Sequence, residues 1–424
     1  MRKELEYYFD KLWPICRSIT GNGLRESLNI LSEVLPLQIT EVPTGTEVFD
    51  WSIPKEWNIE DAYIITPDGK KIADFKKNNL HVVNYSIPVD LELSYDELSK
   101  HIHTMAEMPD AIPYITTYYK ETWGFCLSFN TWEDLPKEGT YKVVVQGKLE
   151  AGSLSYGECI LKGETETEIL FSTYLCHPSM ANNELSGPLA AAFLYKQLAA
   201  MPNRKYTYRF LFAPETIGVI AFLAKNGDHL RNNLKAGYVL TCLGDSGPLT
   251  YKKSKQDFSE ADKIASHILN YHHPTHSTIP FSVGGSDERQ YCSPGFNLPI
   301  GSLMRTPYQK FKEYHTSLDN KSFISFAALE ESVMAYKQIV TAFELNKKYL
   351  NKIQDCEPQL GKRGLYPSSV DPLFNRQELH RMLHFLSYAD GQTDLLTIAE
   401  KRNESMLLYR EIIVKCQNAG LLEE

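Results

Sequence analysis

The sequence predicts an α/β fold: a mostly parallel sheet with helices on both faces, an inserted α+β domain, and a helical, winged-helix-like C-terminal domain. Three observations predict it. From about 151 to 345, short apolar runs alternate with longer helix-forming runs, the order that builds a parallel sheet covered by helices. Three of those runs deliver a polar residue at their ends: Ile169-Leu170-Phe171 leads to His177, Tyr208 to Ala213 leads to Glu215, and Ala236 to Gly244 leads to Asp245. Ligands gather at the carboxyl ends of such strands, because loops converge there without disturbing the packed sheet. Residues from about 50 to 150 read differently, as short β-rich runs broken by turns.

Taken in order, residues 1 to about 45 show helical spacing in Leu5, Phe9, Leu12, Trp13 and Cys16 despite Pro14, and again from Leu24 through Leu35. In the next segment Ala62 to Thr66 runs into a Pro67-Asp68-Gly69-Lys70 turn, and further strands are expected at His81 to Val89 and Tyr141 to Leu149. Aromatic residues concentrate at Tyr114 to Tyr119 and at Trp123 to Phe125, as pocket walls or as the segment's own core. After His177, a polar loop from Ala181 to Pro188 enters the helix-forming run Leu189 to Ala200. Beyond 350, Pro358, Gly361, Gly364, Pro367 and Pro372 make a broken linker. Gln377 to Tyr388, Asp394 to Lys401 and Ser405 to Asn418 then read as three helices of a winged-helix or helix-turn-helix module. The expected domains are 1–50 with 151–350, 51–150, and 351–424.

A chain of 424 residues is too long for one average core. Its net charge of -9 argues against general attraction to nucleic acid or anionic membrane. The tail from Arg376 to Glu424 carries six basic against eight acidic side chains, so docking of a protein partner or a second copy is expected there rather than DNA binding. No apolar run approaches the roughly 20 residues of a membrane helix, and the charged start from Met1 to Asp10 does not read as a signal peptide. Eight cysteines are scattered without a Cys-x-x-Cys pair, and most of them read as buried thiols of a cytoplasmic protein. Cys176 beside His177 invites a nucleophile pair, but neighbours on a strand point to opposite faces.

Each site candidate has a plain structural reading. Glu215 after a proline can cap a helix, Asp245 in Gly-Asp-Ser-Gly can be a turn residue, and a lone histidine is commonly structural. The ordered set, closed by His315 in Tyr314-His315-Thr316-Ser317, is the chemistry of a hydrolytic metal site: neutral imidazoles and carboxylates on the ion, and a free glutamate as base. Asp287, Glu288 and Arg289 follow Gly284-Gly285, and the acidic pair suits a free amino group. A structural Asp287–Arg289 ion pair is the alternative. Arg305 can take a carboxylate or phosphate in its planar fork, and Tyr314 joins the substrate contacts.

The order His, Asn, Glu, Asp, His resembles the zinc-dependent aminopeptidase superfamily. The phrases Cys176-His177-Pro178-Ser179, Gly285-Ser286-Asp287-Glu288-Arg289-Gln290 and Tyr314-His315-Thr316-Ser317 are similar to a bacterial aminopeptidase-like group linked to polysaccharide biosynthesis. The resemblance implies His177 and Asp245 on one metal, His315 on the second, and Glu215 as general base. It also places Asn183 where the superfamily has its bridging aspartate, and Thr216 where it has a glutamate ligand. A neutral amide cannot hold two dications together. Three outcomes stay open: one zinc on His177, Asp245 and His315, completed by Glu184 or Asn183; a weakly held ion; or a binding pocket without metal. The function expected is a metal-dependent hydrolase cleaving an amide next to a free amine, on a peptide or an amino-sugar or cell-surface carbohydrate precursor. The alternative is a catalytically degenerate binding or regulatory protein.

Overall fold

The structure, a computed structural model, describes residues 1–366 and 376–423, so Pro367 and Pro372 of the expected linker lie outside the described residues. Two compact units are present: residues 1–262 with 275–334, and residues 263–274 with 335–424.

The first unit is built on an eight-stranded sheet. In chain order its strands are β1 (Gln38–Pro43), β2 (Ser153–Leu161), β3 (Glu168–Tyr174), β4 (Thr207–Ala213), β5 (Leu234–Val239), β6 (Thr250–Lys252), β7 (Ser277–Ile279) and β8 (Ile300–Met304). They lie side by side as β1-β2-β4-β3-β5-β8-β6-β7. The four central strands, β4, β3, β5 and β8, are parallel. Antiparallel pairs flank them, β1 with β2, β2 with β4, and β6 with β8, while β6 and β7 at the far edge pair in parallel, so the sheet is mixed rather than wholly parallel. Antiparallel neighbours need no crossover helix, which is why they appear where the strand-helix alternation breaks down.

Every residue of β3 and β4 is buried, as strands covered on both faces must be. Two charges inside them neutralise one another: Arg209 donates to both oxygens of Glu168 at 2.8 Å. Past β3, residues Ala181–Leu185 form a single π-helical turn that runs into the helix Ser186–Ala199. Gly187 lets this helix start close to the sheet, since a Cβ there would stand 2.4 Å from the Leu240 carbonyl oxygen.

Residues 56–150 contribute a four-stranded antiparallel sheet, with Lys71–Ile72, Glu56–Ile65, Tyr141–Glu150 and Val89–Leu93 side by side. The strand expected at His81 to Val89 is absent. The Asn78 side chain accepts the Leu80 N–H and winds Asn79–His81 into a short 3-10 turn, after which Val82 and Asn84 make only isolated bridges, to Phe125 and Thr116, and continuous strand pairing starts at Val89.

The second unit contains the helices Arg376–Tyr388, Leu395–Glu400 and Arg410–Asn418, with a two-stranded pairing of Lys348–Leu350 and Asp390–Asp394. His267 is buried here, and its Nε2 accepts the Met406 N–H at 2.9 Å. That bond requires a neutral ring, and burial, with His272 nearby, pushes the His267 pKa down to about 4; Glu400 at 3.9 Å opposes this only weakly. The folded pKa lies below the unfolded value of about 6.5, so the unfolded chain takes up the proton first. Stability of this unit is therefore expected to be full above pH 6.5 and to fall as pH drops toward 4. Chemical denaturation across that range measures it, and a His267→Gln variant should have the flatter profile. No helix among the described residues is long and apolar enough to cross a membrane.

Candidate active site

At the carboxyl ends of the central strands, a cavity of about 590 Å³ is lined by Tyr114, Tyr118, His177, Glu215, Arg289 and His315 among others. His177 follows β3 and Glu215 follows β4, as the strand-end argument required. The Tyr114 to Tyr119 stretch supplies wall residues, whereas Trp123 and Phe125 belong to the apolar core.

His177 is oriented from behind. Its Nδ1 is 2.9 Å from Glu184 Oε2, which sets the ring's orientation, and its Nε2 is 3.6 Å from Glu215 Oε2. Burial lowers its pKa, but Cys176 and Glu184 overcome that and raise it well above the usual imidazole range, so an ion at Nε2 would displace a proton. Glu184 is fully buried, and its second oxygen has no hydrogen-bond partner. A second positive group acts on it from Arg17, also fully buried, whose guanidinium donates to the His177 carbonyl at 3.1 Å and the Leu12 carbonyl at 2.7 Å. Burial lowers the Arg17 pKa and the charge of Glu184 opposes that.

Cys176 corrects one expectation. It lies beyond the strand, so strand alternation does not separate it from His177, and its Sγ is 3.4 Å from Nδ1. Burial pushes the thiol up to about 11, so it stays protonated and accepts the Glu215 N–H at 3.3 Å instead of acting as a nucleophile.

His315 completes the cluster. Its ring centroid lies 5.4 Å from that of His177, Tyr314 stacks on it at 3.9 Å, and Tyr114 meets it edge-on at 5.3 Å. Burial and the neighbouring His177 push its pKa down to about 3, which keeps it a neutral donor. Glu215 turns into the cavity through a strained elbow. Thr216 has φ 65°, held by its N–H on Asp287 Oδ1 at 2.7 Å and by Arg289 donating to its hydroxyl at 3.0 Å. Burial raises the Glu215 pKa, with His177 opposing; burial and then Glu215 raise that of Asp287 well above the usual carboxylate range.

Several expected contacts lie elsewhere. Asp245 is not turned toward the histidines: Oδ1 accepts from the Gly247 N–H and the Thr306 hydroxyl, and Oδ2 accepts from the Asn182 amide and the Thr306 N–H, at 2.7 to 3.1 Å. All four acceptor positions are filled, so it clamps loops and is corrected as a metal ligand. Asp245→Ala is expected to lower stability by about 1.5–3 kcal/mol, as for lost hydrogen bonds to a buried charge, without changing metal content; thermal unfolding and elemental analysis of one sample check both. Arg305 is likewise corrected as a substrate contact, since it is buried with its guanidinium bonded to Ser332, Gly247, Ala328 and Glu331. Glu288 is buried on Lys252 at 2.6 Å and Tyr308 at 2.7 Å, and Asp287 supports the Thr216 elbow from a buried position. Only Arg289 of that acidic-basic triplet is exposed and lines the cavity. Asn183 lies near Tyr174, with its Oδ1 3.5 Å from the phenol oxygen, and makes no hydrogen bond to either histidine.

Sequence reasoning missed Arg17 and Asp319. Asp319 accepts the N–H groups of Asn182 and Asn183 at 2.7 and 2.8 Å, pinning the π-helical turn. Its signal was present, four residues after His315 in the same motif. Arg17 was visible as a charge beside the apolar spacing of the first helix.

The donor set decides what an ion would find. His177, His315 and Glu215 bring two imidazoles and a carboxylate to one cavity, the donor types that zinc takes; among the described residues the donors already close enough to share an ion are Cys176, His177 and Glu184. Asn183 has no charge, Thr216 has no carboxylate, and Asp245 is engaged. The residues present offer donor types for one ion and not for two.

The fold is that of the zinc aminopeptidases. A zinc aminopeptidase from Bacillus subtilis has a TM-score of 0.55 at 12% identity, covering 79% of this chain and 94% of that one. A peptidase M28 precursor from Shewanella amazonensis gives 0.56 at 12%, covering 80% and 91%. Within that fold the chain belongs to the family described as a domain of unknown function (DUF4910), which matches residues 7–346, and residues 347–424 match the winged helix-turn-helix family. A Clostridium acetobutylicum protein named a polysaccharide biosynthesis protein with aminopeptidase-like domain is 47% identical over 398 residues, 94% of this chain and 91% of its own. A crystal structure from that organism, named as a peptidase, has a TM-score of 0.93 at 44% identity, covering 100% of this chain and 96% of that one.

Proposed function

We propose that this chain is an aminopeptidase-like hydrolase that cleaves an amide next to a free amine, with one zinc ion held by His177 and His315 and with Glu215 as the base. The observation that carries the reading is the placement on one aromatic-walled cavity of His177, of Glu215 at 3.6 Å from its Nε2, and of His315, whose ring centroid lies 5.4 Å from that of His177. Zinc bound there would polarise the amide carbonyl and make water acidic enough to ionise near neutral pH. The chain's own residues have separate tasks. Glu184 holds the His177 ring with its Nε2 toward Glu215. Glu215, made more basic by burial, takes a proton from water and passes it to the departing nitrogen. Arg289 presents a cation to an anionic group of the substrate, and Tyr114 and Tyr118 exclude water around its apolar face. The name of the Clostridium relative favours an amino sugar or another cell-surface carbohydrate precursor over a peptide.

Elemental analysis after zinc loading tests this. About one zinc per chain, lost in His177→Ala, is expected. No zinc under any loading would turn the reading toward a binding or regulatory protein, which Asn183 and Thr216 favour.

A further inference from the structure

A second cavity, of about 330 Å³, shares the Trp51 side chain with the first and is lined by Phe49, Asp50, Arg231, Gln290 and Phe296 among others. Phe49 occupies the tip of the hairpin formed by Glu47–Val48 and Trp51–Ser52. Its backbone has φ 56°, a conformation unfavourable for a bulky side chain, yet the residue is 61% exposed. Trp51 is 41% exposed, and Tyr119, 54% exposed, stands edge-on to it at 5.8 Å. A left-handed backbone that presents an aromatic ring to water is unfavourable on both counts, and such strain marks a position held for binding.

The polar partners restrict the ligand. Phe296 supports Phe49 edge-on at 5.7 Å, and the Arg231 guanidinium lies 4.3 Å from the Phe296 ring centroid. Gln290 adjoins the cavity-lining Arg289. Open aromatic faces beside a guanidinium, a carboxylate and a carboxamide suit a sugar ring, whose C–H face packs on aromatics while its hydroxyls take hydrogen bonds. The Arg231 guanidinium is held by Asp228 and by the Gly295 carbonyl at 3.3 Å, so Asp50 and Gln290 are the lining groups that would meet a sugar's hydroxyls.

We propose that this second cavity is a subsite for a further sugar ring of an extended amino-sugar substrate whose amine-bearing end lies at Glu215. The inference rests on the proposed hydrolase reading for which end enters first, and its test reads binding rather than turnover. Calorimetric titration of the full chain with glucosamine and with its β-1,4-linked disaccharide should show the disaccharide bound about tenfold more tightly. In Phe49→Ala and in Arg231→Ala that gain should fall to within about twofold, with glucosamine affinity unchanged. Equal affinity for the two sugars, no binding of either, or an equal gain from a leucine dipeptide to a tripeptide would overturn the proposal. Self-association in sedimentation that disappears in Phe49→Ala would overturn it in favour of a second copy of the chain. A chain that holds no zinc but keeps the disaccharide gain loses the hydrolase reading and retains the subsite.

Discussion

Replacing Glu215 with Gln is expected to lower turnover by about 10²–10⁴-fold while zinc content and the unfolding transition stay as in the parent chain. The amide keeps the size and polarity of the carboxylate and removes only its capacity to accept a proton. Glu215 emerges from an elbow whose geometry depends on the Thr216 N–H, the Thr216 hydroxyl, Asp287 and Arg289, and the substitution touches none of those bonds. It also removes the charge that helps raise the Asp287 pKa, so a structural contribution of Glu215 would appear as a gain in stability rather than a loss. Unchanged turnover would exclude Glu215 as the base. Loss of zinc together with turnover would make it a ligand, and the 3.6 Å approach to His177 Nε2 would then be the approach of two donors to one ion.

The second large effect lies behind the site. Arg17→Met is expected to destabilise the chain by about 3–5 kcal/mol, because it leaves Glu184 buried with one positive neighbour fewer and frees two carbonyls, those of Leu12 and His177. Methionine fills most of the volume, so the loss reports charge more than packing. Adding Glu184→Gln should recover part of the stability, since both buried charges are then gone. Denaturant titration of the single and double variants measures the coupling. Strictly additive losses would mean that the two charges do not act on one another.

Much of the candidate site was legible because its logic is local. A strand that ends in a histidine and another that ends in a glutamate declare themselves by apolar length followed by one polar residue, and both reach the cavity. Asp245 obeyed the same rule and still faces elsewhere. What decides its direction is Thr306, 61 residues further on, together with the amide of Asn182, and no local pattern announces such partners. Arg305 failed for the same reason, its guanidinium being claimed by a helix some 23 to 27 residues downstream. The antiparallel pairs that flank the central strands were hidden too, because pairing direction depends on how the chain returns and not on the composition of the strand.

The left-handed residues at the cavity carry an evolutionary consequence. Thr216 has φ 65° and His315 has φ 55°, and glycine is the residue that enters this region without steric penalty. A lineage selected for thermal endurance alone would drift toward glycine at position 216, relaxing the elbow that aims Glu215. Position 315 could not follow without giving up its imidazole. Side chains at both places thus keep a strain that the pocket's geometry uses, and directed evolution toward heat resistance should be run with a binding screen so that this geometry is not traded away.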